Sequence, residues 1–501
     1  MRKVTGEKIQ KLQSVGLQTV EMWGCQWEDL KKTDPECAAF VNQLQLTDRL
    51  ESRLAFIGGR TNAATLYHTC ADGEQIQYYD FTSLYPYCNK YATYPTGHPE
   101  IILQPDDQDI FHYFGIAQCI VRPPRNLYHP VLPVRIDGKL LFPLCEKCAK
   151  EQLRKPLLDR TWECPHDDVD REMLGTWCTP ELQEAVHQGY EIVRILEVYH
   201  FPENQRKAGL FAPYINKWYR IKTEASGWPK WCDTPEKKAE FITKFKEKED
   251  IELSAEQLDK GVNSGLRPLA KLMLNSMWGK FGQRPNKTQC VHFTDPQEFH
   301  QFLESDKYVI HKIQLLPDRK NAQETNQDAI DVFFSLRDGD EEINAKCNIF
   351  VAAFTTCWAR LKLYQELNRG QEQIPYYDTD SILLRIDQNN PSHYRPETGD
   401  YLGELTDELY DKKKKEYHYI TEFASAGPKN YGYVLDNGKQ ECKVKGFNLN
   451  VEGCKQLNYT ILKNNVLVEI QEPVYNGITG QVQRRKYPVT RSPKLLEILQ
   501  N

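Results

Sequence analysis

The sequence predicts an α+β fold divided into several subdomains. Three observations predict it. The chain has 501 residues, too many for one ordinary domain. Short apolar runs such as Ile76–Phe81, Tyr190–Phe201 and Ile382–Leu384 read as strands. Long amphipathic stretches, chiefly 203–282 and Lys346–Asn368, read as helices. In chain order, 6–15 reads as a short helix with Ile9 and Leu12 on one side, and Val20–Trp23 as a strand. Asp34-Pro35 opens a helical region to about Arg49. Gly58-Gly59 breaks the chain before Ala63–His68, and the Ile76–Phe81 strand follows. Apolar patches from Ile101 to Arg135 suggest a β-rich subdomain, and 136–178 carries cysteines and charge. Pro180–Gly189 is a predicted helix and Tyr190–Phe201 a strand with Ile192, Val193, Ile195 and Val198. The 203–282 helices include Lys237–Lys246, apolar on one face and lysine-rich on the other. Residues 306–350 read as strands and turns around the polar stretch Asp318–Asp328. After the Lys346–Asn368 helix come a hairpin and strands near Tyr431–Leu435 and Val466–Ile470.

Hydrophobic residues make up 40% of the chain, enough to fold. No apolar run reaches membrane-spanning length, and Met1–Lys8 lacks a secretory apolar segment. A soluble intracellular protein with no membrane partner is the default expectation. The fifteen cysteines are scattered and odd in number, which fits a reducing compartment better than a disulfide framework. A net charge of −6 does not advertise nucleic-acid binding, yet leaves room for a locally basic cleft.

The hairpin is Tyr377-Asp378-Thr379-Asp380-Ser381, set between Ile374-Pro375-Tyr376 and Ile382-Leu383-Leu384. Two carboxylates in an apolar run are costly to bury unpaired, and a hard cation would resolve that cost. Side chains two apart leave one face of a strand together, so both acids can reach one site. Taken alone, Asp-x-Asp is more often a loop or turn. Upstream, Asp80 ends an apolar strand in Tyr79-Asp80-Phe81-Thr82-Ser83-Leu84-Tyr85-Pro86, where an isolated Asp is usually a cap or turn residue. Together the three acids could hold two divalent ions about 3.5–4 Å apart, the arrangement used for in-line phosphoryl transfer.

Between the acidic segments lies Arg267–Gly282. On a helix Arg267, Lys271, Asn275 and Trp278 share one face. Two cations, an amide and an aromatic on one stripe can grip a triphosphate and stack on a base. A helix pairing its cations with nearby acids is the plainer reading of this segment alone.

In this order, the segments resemble motifs A, B and C of family B DNA polymerases, and closely the protein-primed subgroup of phages, adenoviruses, linear plasmids and Maverick/Polinton-type elements. The resemblance covers roughly residues 50–500. It implies a right-hand polymerase: a palm with an antiparallel sheet, helical fingers and a small thumb. Asp80 and Asp380 match the metal-binding acids and Asp378 the adjoining essential acid, with two Mg2+ ions implied. Tyr85 matches the aromatic beneath the incoming sugar, where a 2′-hydroxyl would clash. Lys271 and Arg267 would hold the triphosphate. Asn275, Ser276 and Gly279 would shape the nucleotide pocket and contact template. Trp278 stands where the family usually has Tyr; it keeps a stacking ring and loses the hydroxyl.

Phe56-Ile57-Gly58-Gly59 resembles the Tyr-x-Gly-Gly loop that touches template, with Gly58 and Gly59 allowing close approach to a phosphate. Pro428-Lys429-Asn430-Tyr431 resembles the Lys-x-Tyr motif that steadies the primer end. The implied division is an N-terminal remnant or linker at 1–55 and a palm at 56–86 and 283–425, with a second insertion within 283–345. A terminal-protein-region-like insertion at 87–200, fingers at 201–282 and a thumb at 426–501 complete it. Cys145-Glu146-Lys147-Cys148 followed by Cys164-Pro165-His166 supplies four ligands suited to a structural Zn2+ in the first insertion; unrelated buried thiols are the alternative, with Cys178 a spare ligand.

The expected function is DNA-directed DNA polymerisation for a viral or mobile-element genome: dNMP transfer from dNTP to a 3′-OH, or to a protein hydroxyl at initiation. The implied partners are primer–template DNA, dNTPs and a terminal priming protein. Some 55 residues precede the Gly-Gly loop, too few for the family's exonuclease, so the expectation is a chain without 3′–5′ exonuclease or a fragment of a longer product. The alternatives are a truncated, inactive mobile-element remnant that only binds DNA, and a zinc-braced interaction module.

Overall fold

The structure, a computed structural model, describes residues 2–43, 48–154, 164–284, 286–315, 330–337, 347–411, 416–446 and 457–471. The polar stretch Asp318–Asp328 and the chain beyond 471 lie outside the described residues. Two compact units are present, Met1–Leu50 and Glu51–Asn501.

The first unit holds helices Arg2–Ser14, Gly24–Thr33 and Pro35–Gln43. The strand expected at Val20–Trp23 is not formed. Among the described residues no strand pairs with that segment, and Val20 is 94% exposed. A β-rich composition makes a strand only where a partner takes up its backbone groups.

The second unit is built on a nine-stranded antiparallel sheet. Its path runs Thr61–Ala63, Tyr376–Asp378, Ser381–Asp387, Glu74–Phe81, Ile420–Ser425, Asn430–Leu435, Gln440–Val444; Leu405–Asp407 pairs with Glu74–Phe81, and Tyr67–Thr69 with Ile420–Ser425. Alternation sends successive side chains to opposite cores. Tyr377, Ile382, Leu384 and Ile386 enter one core with Leu363, Leu367, Trp177 and Leu182, whereas Tyr376 and Leu383 enter another with Ile76, Phe423 and Leu462. Strands Asn430–Leu435 and Gln440–Val444 continue this sheet, so the boundary expected at 426 between palm and thumb falls inside it.

The strand expected at Val466–Ile470 is instead part of a helix, Tyr459–Gln471. Its β-branched residues suggest a strand, yet Tyr459, Leu462 and Val466 bury one helical face against the sheet. Packing overrides the local preference.

The 87–200 region contributes a four-stranded sheet in the order Glu100–Leu103, Glu191–His200, Gly115–Arg122, Met173–Cys178. It shares its core with the 22-residue helix Ile349–Gly370. Arg360 of that helix is 3% exposed and forks onto Glu181, itself 2% exposed, with both contacts 2.7 Å. The same guanidinium donates to the carbonyl of Gly58 at 2.9 Å and to that of Ile57. Helices Ala212–Glu224, Pro235–Glu249 and Leu266–Phe281 form a further layer around Ile215, Tyr219, Phe245 and Leu274.

Candidate active site

Asp378 ends one strand and Ser381 begins the next, paired directly across a two-residue turn. The two acids therefore do not leave one face of a single strand as expected; they bracket Thr379 in the turn. Thr379 has φ +59°, an unfavourable region for a β-branched residue. It is held there by its N–H donating to the Arg60 carbonyl at 2.8 Å and its hydroxyl donating to Asp378 Oδ1 at 3.0 Å. Register then brings in the third acid. Ser381 lies opposite Asp80, and the Phe81 N–H donates to the Asp380 carbonyl at 2.7 Å. All three carboxylates line one open groove at the end of the sheet, together with Lys429, Tyr431, Lys443 and Lys445.

Burial, then the charges of Asp380 and Glu408, push the Asp80 carboxyl up to about 7. Burial, then Asp378, pushes Asp380 up to about 6. Lys429 forms an ion pair with Asp378 Oδ1. Half-buried acids that repel one another keep their protons to higher pH than free carboxyls do, and a bound cation would favour their ionised form. The donors are carboxylate oxygens, which suits Mg2+.

Across from the acids, Tyr85 sits in the first turn of helix Leu84–Tyr91, whose preceding residue, Ser83, is left-handed at φ +51°. Its ring stacks on Trp278 with centroids 4.6 Å apart and planes 16° apart. A Cβ on Gly59 would meet Thr379 Cγ2 at 2.7 Å and Tyr85 Oη at 3.1 Å. Glycine at 59 is thus required by the chain itself, while a Cβ on Gly58 would meet nothing within 4 Å.

Arg267, Lys271, Asn275 and Trp278 all lie on helix Leu266–Phe281, with the first three exposed. Arg267 Nε donates to Ser226 Oγ at 3.1 Å. Lys271 is near enough to oppose the upward shift of Asp80. Ser276 donates to the Leu272 carbonyl of its own helix at 2.8 Å, and Gly279 faces open space. Lys429 has φ +63°, and its N–H donates to Tyr376 Oη at 2.9 Å. Tyr431 is buried with its hydroxyl 3.1 Å from that of Tyr78.

Three cations were not anticipated: Lys222, Lys443 and Lys445. Lys222, on helix Ala212–Glu224, donates to Ser83 Oγ at 3.3 Å. Burial, then Lys271 and Arg267, pulls its amine down to about 8. Three mutually repelling cations, of which Lys271 reaches Asp80, make a basic cluster suited to an anion. Lys443 lies over the rings of Tyr78 and Tyr431. No spacing rule reaches these lysines, because tertiary packing alone brings Lys443 and Lys445 to the groove and Lys222 to Ser83.

Away from the groove, Cys145, Cys148, Cys164 and His166 place one ligand atom each within 4.8 Å of one another. Cys148 Sγ lies 3.3 Å from Cys164 Sγ and 3.1 Å from His166 Nδ1, and Cys145 Sγ is 3.6 Å from the same nitrogen. A tetrahedral zinc ion has ligand–ligand edges of about 3.5–3.8 Å, close to these separations. Cys178 is not in this group; it clusters with Glu181 and Cys357. No disulfide joins the described cysteines, and no helix among the described residues is long and apolar enough to cross a membrane.

The family described as "DNA polymerase type B, organellar and viral" matches residues 29–230 and 240–371. A probable DNA polymerase of Neurospora intermedia is 23% identical over 416 residues, covering 79% of this chain and 32% of the relative. The DNA polymerase of Bacillus phage Nf is 25% identical over 236 residues, covering 47% and 26%. The chain thus spans a quarter to a third of the length of these curated relatives. A solved structure of phi29 DNA polymerase with primer–template DNA and incoming nucleotide substrates aligns with 91% of this chain and 64% of its own, at 16% identity and a TM-score of 0.48.

Proposed function

The chain belongs to the organellar and viral type B DNA polymerases, and we propose that it catalyses template-directed transfer of dNMP from dNTP to a primer 3′-OH, releasing pyrophosphate. The observation that carries this reading is the register that sets Asp80 beside the Asp378–Asp380 turn, opposite a cluster of cations. In this reading Asp80 and Asp380 hold Mg2+, with Asp378 completing the acidic set. When bound, Mg2+ would favour the ionised attacking hydroxyl and offset charge on the leaving pyrophosphate.

The chain's own residues do the positioning. Lys271, Arg267 and Lys222 take the triphosphate. Tyr85 supports the sugar and excludes a 2′-hydroxyl, and Asn275 and Trp278 close the base side. Gly58, Gly59, Ser276 and Gly279 face template, and Lys429 and Tyr431 hold the primer end beside Asp378. A terminal protein supplying the first hydroxyl is the priming partner this subgroup would use. The proposed division is a palm on the nine-stranded sheet and fingers on the 201–282 helices, with terminal-protein-region-like insertions at 87–200 and within 283–345. A structural zinc ion at Cys145, Cys148, Cys164 and His166 completes the cofactors.

Primer extension tests this. The full chain with Mg2+, primed template and dNTPs should lengthen the primer, and Asp380→Asn should lower the rate at least about 10³-fold. DNA retained on a filter without extension would favour a binding-only remnant.

A further inference from the structure

Arg60 has no part in the nucleotide site, yet its surroundings tie two parts of the molecule together. It is 1% exposed, and its Nη2 has no hydrogen-bond partner among the described residues. Aromatic faces surround the guanidinium: its carbon lies 4.3 Å from the Phe142 ring centre, 5.3 Å from Tyr377 and 5.5 Å from Tyr364. Its Nε donates to the Tyr377 hydroxyl at 3.4 Å, and for the rest a desolvated guanidinium depends on such faces.

Its neighbours lead in two directions. Tyr377 immediately precedes Asp378, and the Arg60 carbonyl holds the strained Thr379 turn through its N–H. On the other side, Phe142 follows strand Lys139–Leu141 and precedes Cys145 by three residues. Between them, the Leu144 carbonyl accepts from Arg171 Nη2 at 3.2 Å, and Arg171 lies five residues past His166. The same Arg171 nitrogen donates to the Pro124 carbonyl at 2.8 Å. The loop that carries Phe142 onto Arg60 therefore also carries Cys145 and leads directly into helix Glu146–Arg154, whose first turn presents Cys148. A small cavity lined by Arg60, Asn62, His129, Leu140, Phe142 and Tyr377 lies along this seam.

We infer that Arg60 is a positioning residue that couples the Cys145–Cys148–Cys164–His166 zinc loop to the Asp378–Asp380 turn, so that zinc loading sets how well the acids bind their cation. The coupling rests on the zinc and carboxylate readings above. With zinc bound, the loop keeps Phe142 over the guanidinium. Without it, Phe142 is free to leave, Arg60 loses its closest face, and the guanidinium's hold on Tyr377, next to Asp378, loosens. Outer contacts of this kind change metal affinity by about 10–100-fold.

The test follows Mn2+ binding to the full chain by electron paramagnetic resonance, with zinc content measured by elemental analysis. Asp380→Asn identifies the carboxylate-bound Mn2+ as the signal it removes. The expected result is about one zinc per chain and Mn2+ affinity weakened at least about tenfold by a zinc-selective chelator, by Cys148→Ser and by Arg60→Lys. Circular dichroism confirms that each variant is folded. Arg60→Lys should keep its zinc, and zinc removal should weaken its Mn2+ binding little further. Unchanged Mn2+ affinity in folded, zinc-free Cys148→Ser would overturn the coupling, as would a wild-type chain that takes up no zinc. Mn2+ affinity that tracks zinc in a chain unable to extend primers would support the coupling and sink the polymerase reading instead.

Discussion

Tyr85 and Trp278 stack face to face, 4.6 Å between ring centres, although they come from helices nearly two hundred residues apart in sequence. Tyr85 packs closely over Gly59, where a Cβ would come within 3.1 Å of its hydroxyl. Burial also keeps the phenol protonated, pushed well above its ordinary range. The ring is thus a rigid, neutral floor. Tyr85→Val should remove that floor and raise incorporation of ribonucleotides relative to deoxynucleotides by about 10–100-fold. Single-nucleotide insertion with matched dNTP and rNTP series measures the ratio. An unaltered ratio would remove Tyr85 from sugar selection.

The acids predict a pH-dependent response to Mg2+. Asp80 and Asp380 are raised to about 7 and about 6 in the metal-free fold, against about 4 in an unfolded chain. A raised carboxylate means that the folded chain binds more protons, so its stability falls as pH rises from about 4 to about 7. Bound Mg2+ offsets that charge only once the protons have left. The Mg2+-induced rise in melting temperature should therefore be larger at pH 8 than at pH 6. Asp80→Asn should raise the metal-free melting temperature at pH 8 while abolishing extension. Equal Mg2+ shifts at both pH values, measured by calorimetry, would contradict these assignments.

The acids themselves were legible in the sequence, since Asp80, Asp378 and Asp380 each interrupt an apolar strand pattern. How they meet was less so. Period-two reasoning put Asp378 and Asp380 on one strand face, but the chain turns between them through a left-handed Thr379, which no propensity favours. That conformation depends on Arg60, more than three hundred residues away, whose carbonyl takes the Thr379 N–H. The same limit explains the strand expected at Val466–Ile470: its partners, not its composition, decided for helix. The Leu266–Phe281 stripe was readable because helical spacing is local, whereas Lys222 and Lys443 reach the site only through packing.

Lys222 should prove a nucleotide-binding residue. Its amine is lowered to about 8 chiefly by burial, then by Lys271 and Arg267. A triphosphate would relieve that repulsion and restore the proton. Lys222→Met should raise KM for dNTP about tenfold or more, with a smaller change in kcat, since charge-assisted hydrogen bonds to phosphate are lost. For the wild type, KM should climb as pH passes about 8, because the free enzyme then loses the proton it needs. Steady-state extension across pH 7–9 tests both. A pH-independent KM, together with a wild-type KM in Lys222→Met, would place the triphosphate elsewhere.

The Arg360–Glu181 pair carries the last prediction. Both side chains are almost fully buried and joined by two 2.7 Å contacts, and the same guanidinium holds the Gly58 carbonyl. Removing one member strands the other charge in the core, which costs about 3–5 kcal/mol. Glu181→Ala should therefore destabilise the unit by that amount in urea unfolding. Because Arg360 also anchors the Gly58-Gly59 loop, the damage should extend to DNA. Template affinity should fall in Glu181→Ala even where the protein remains folded. A replacement of both residues by apolar side chains of similar volume should recover much of the stability, yet leave the Gly58 carbonyl without its donor. Recovered stability with weak DNA binding would separate the two roles of Arg360. Full recovery of both would show that the ion pair serves packing alone.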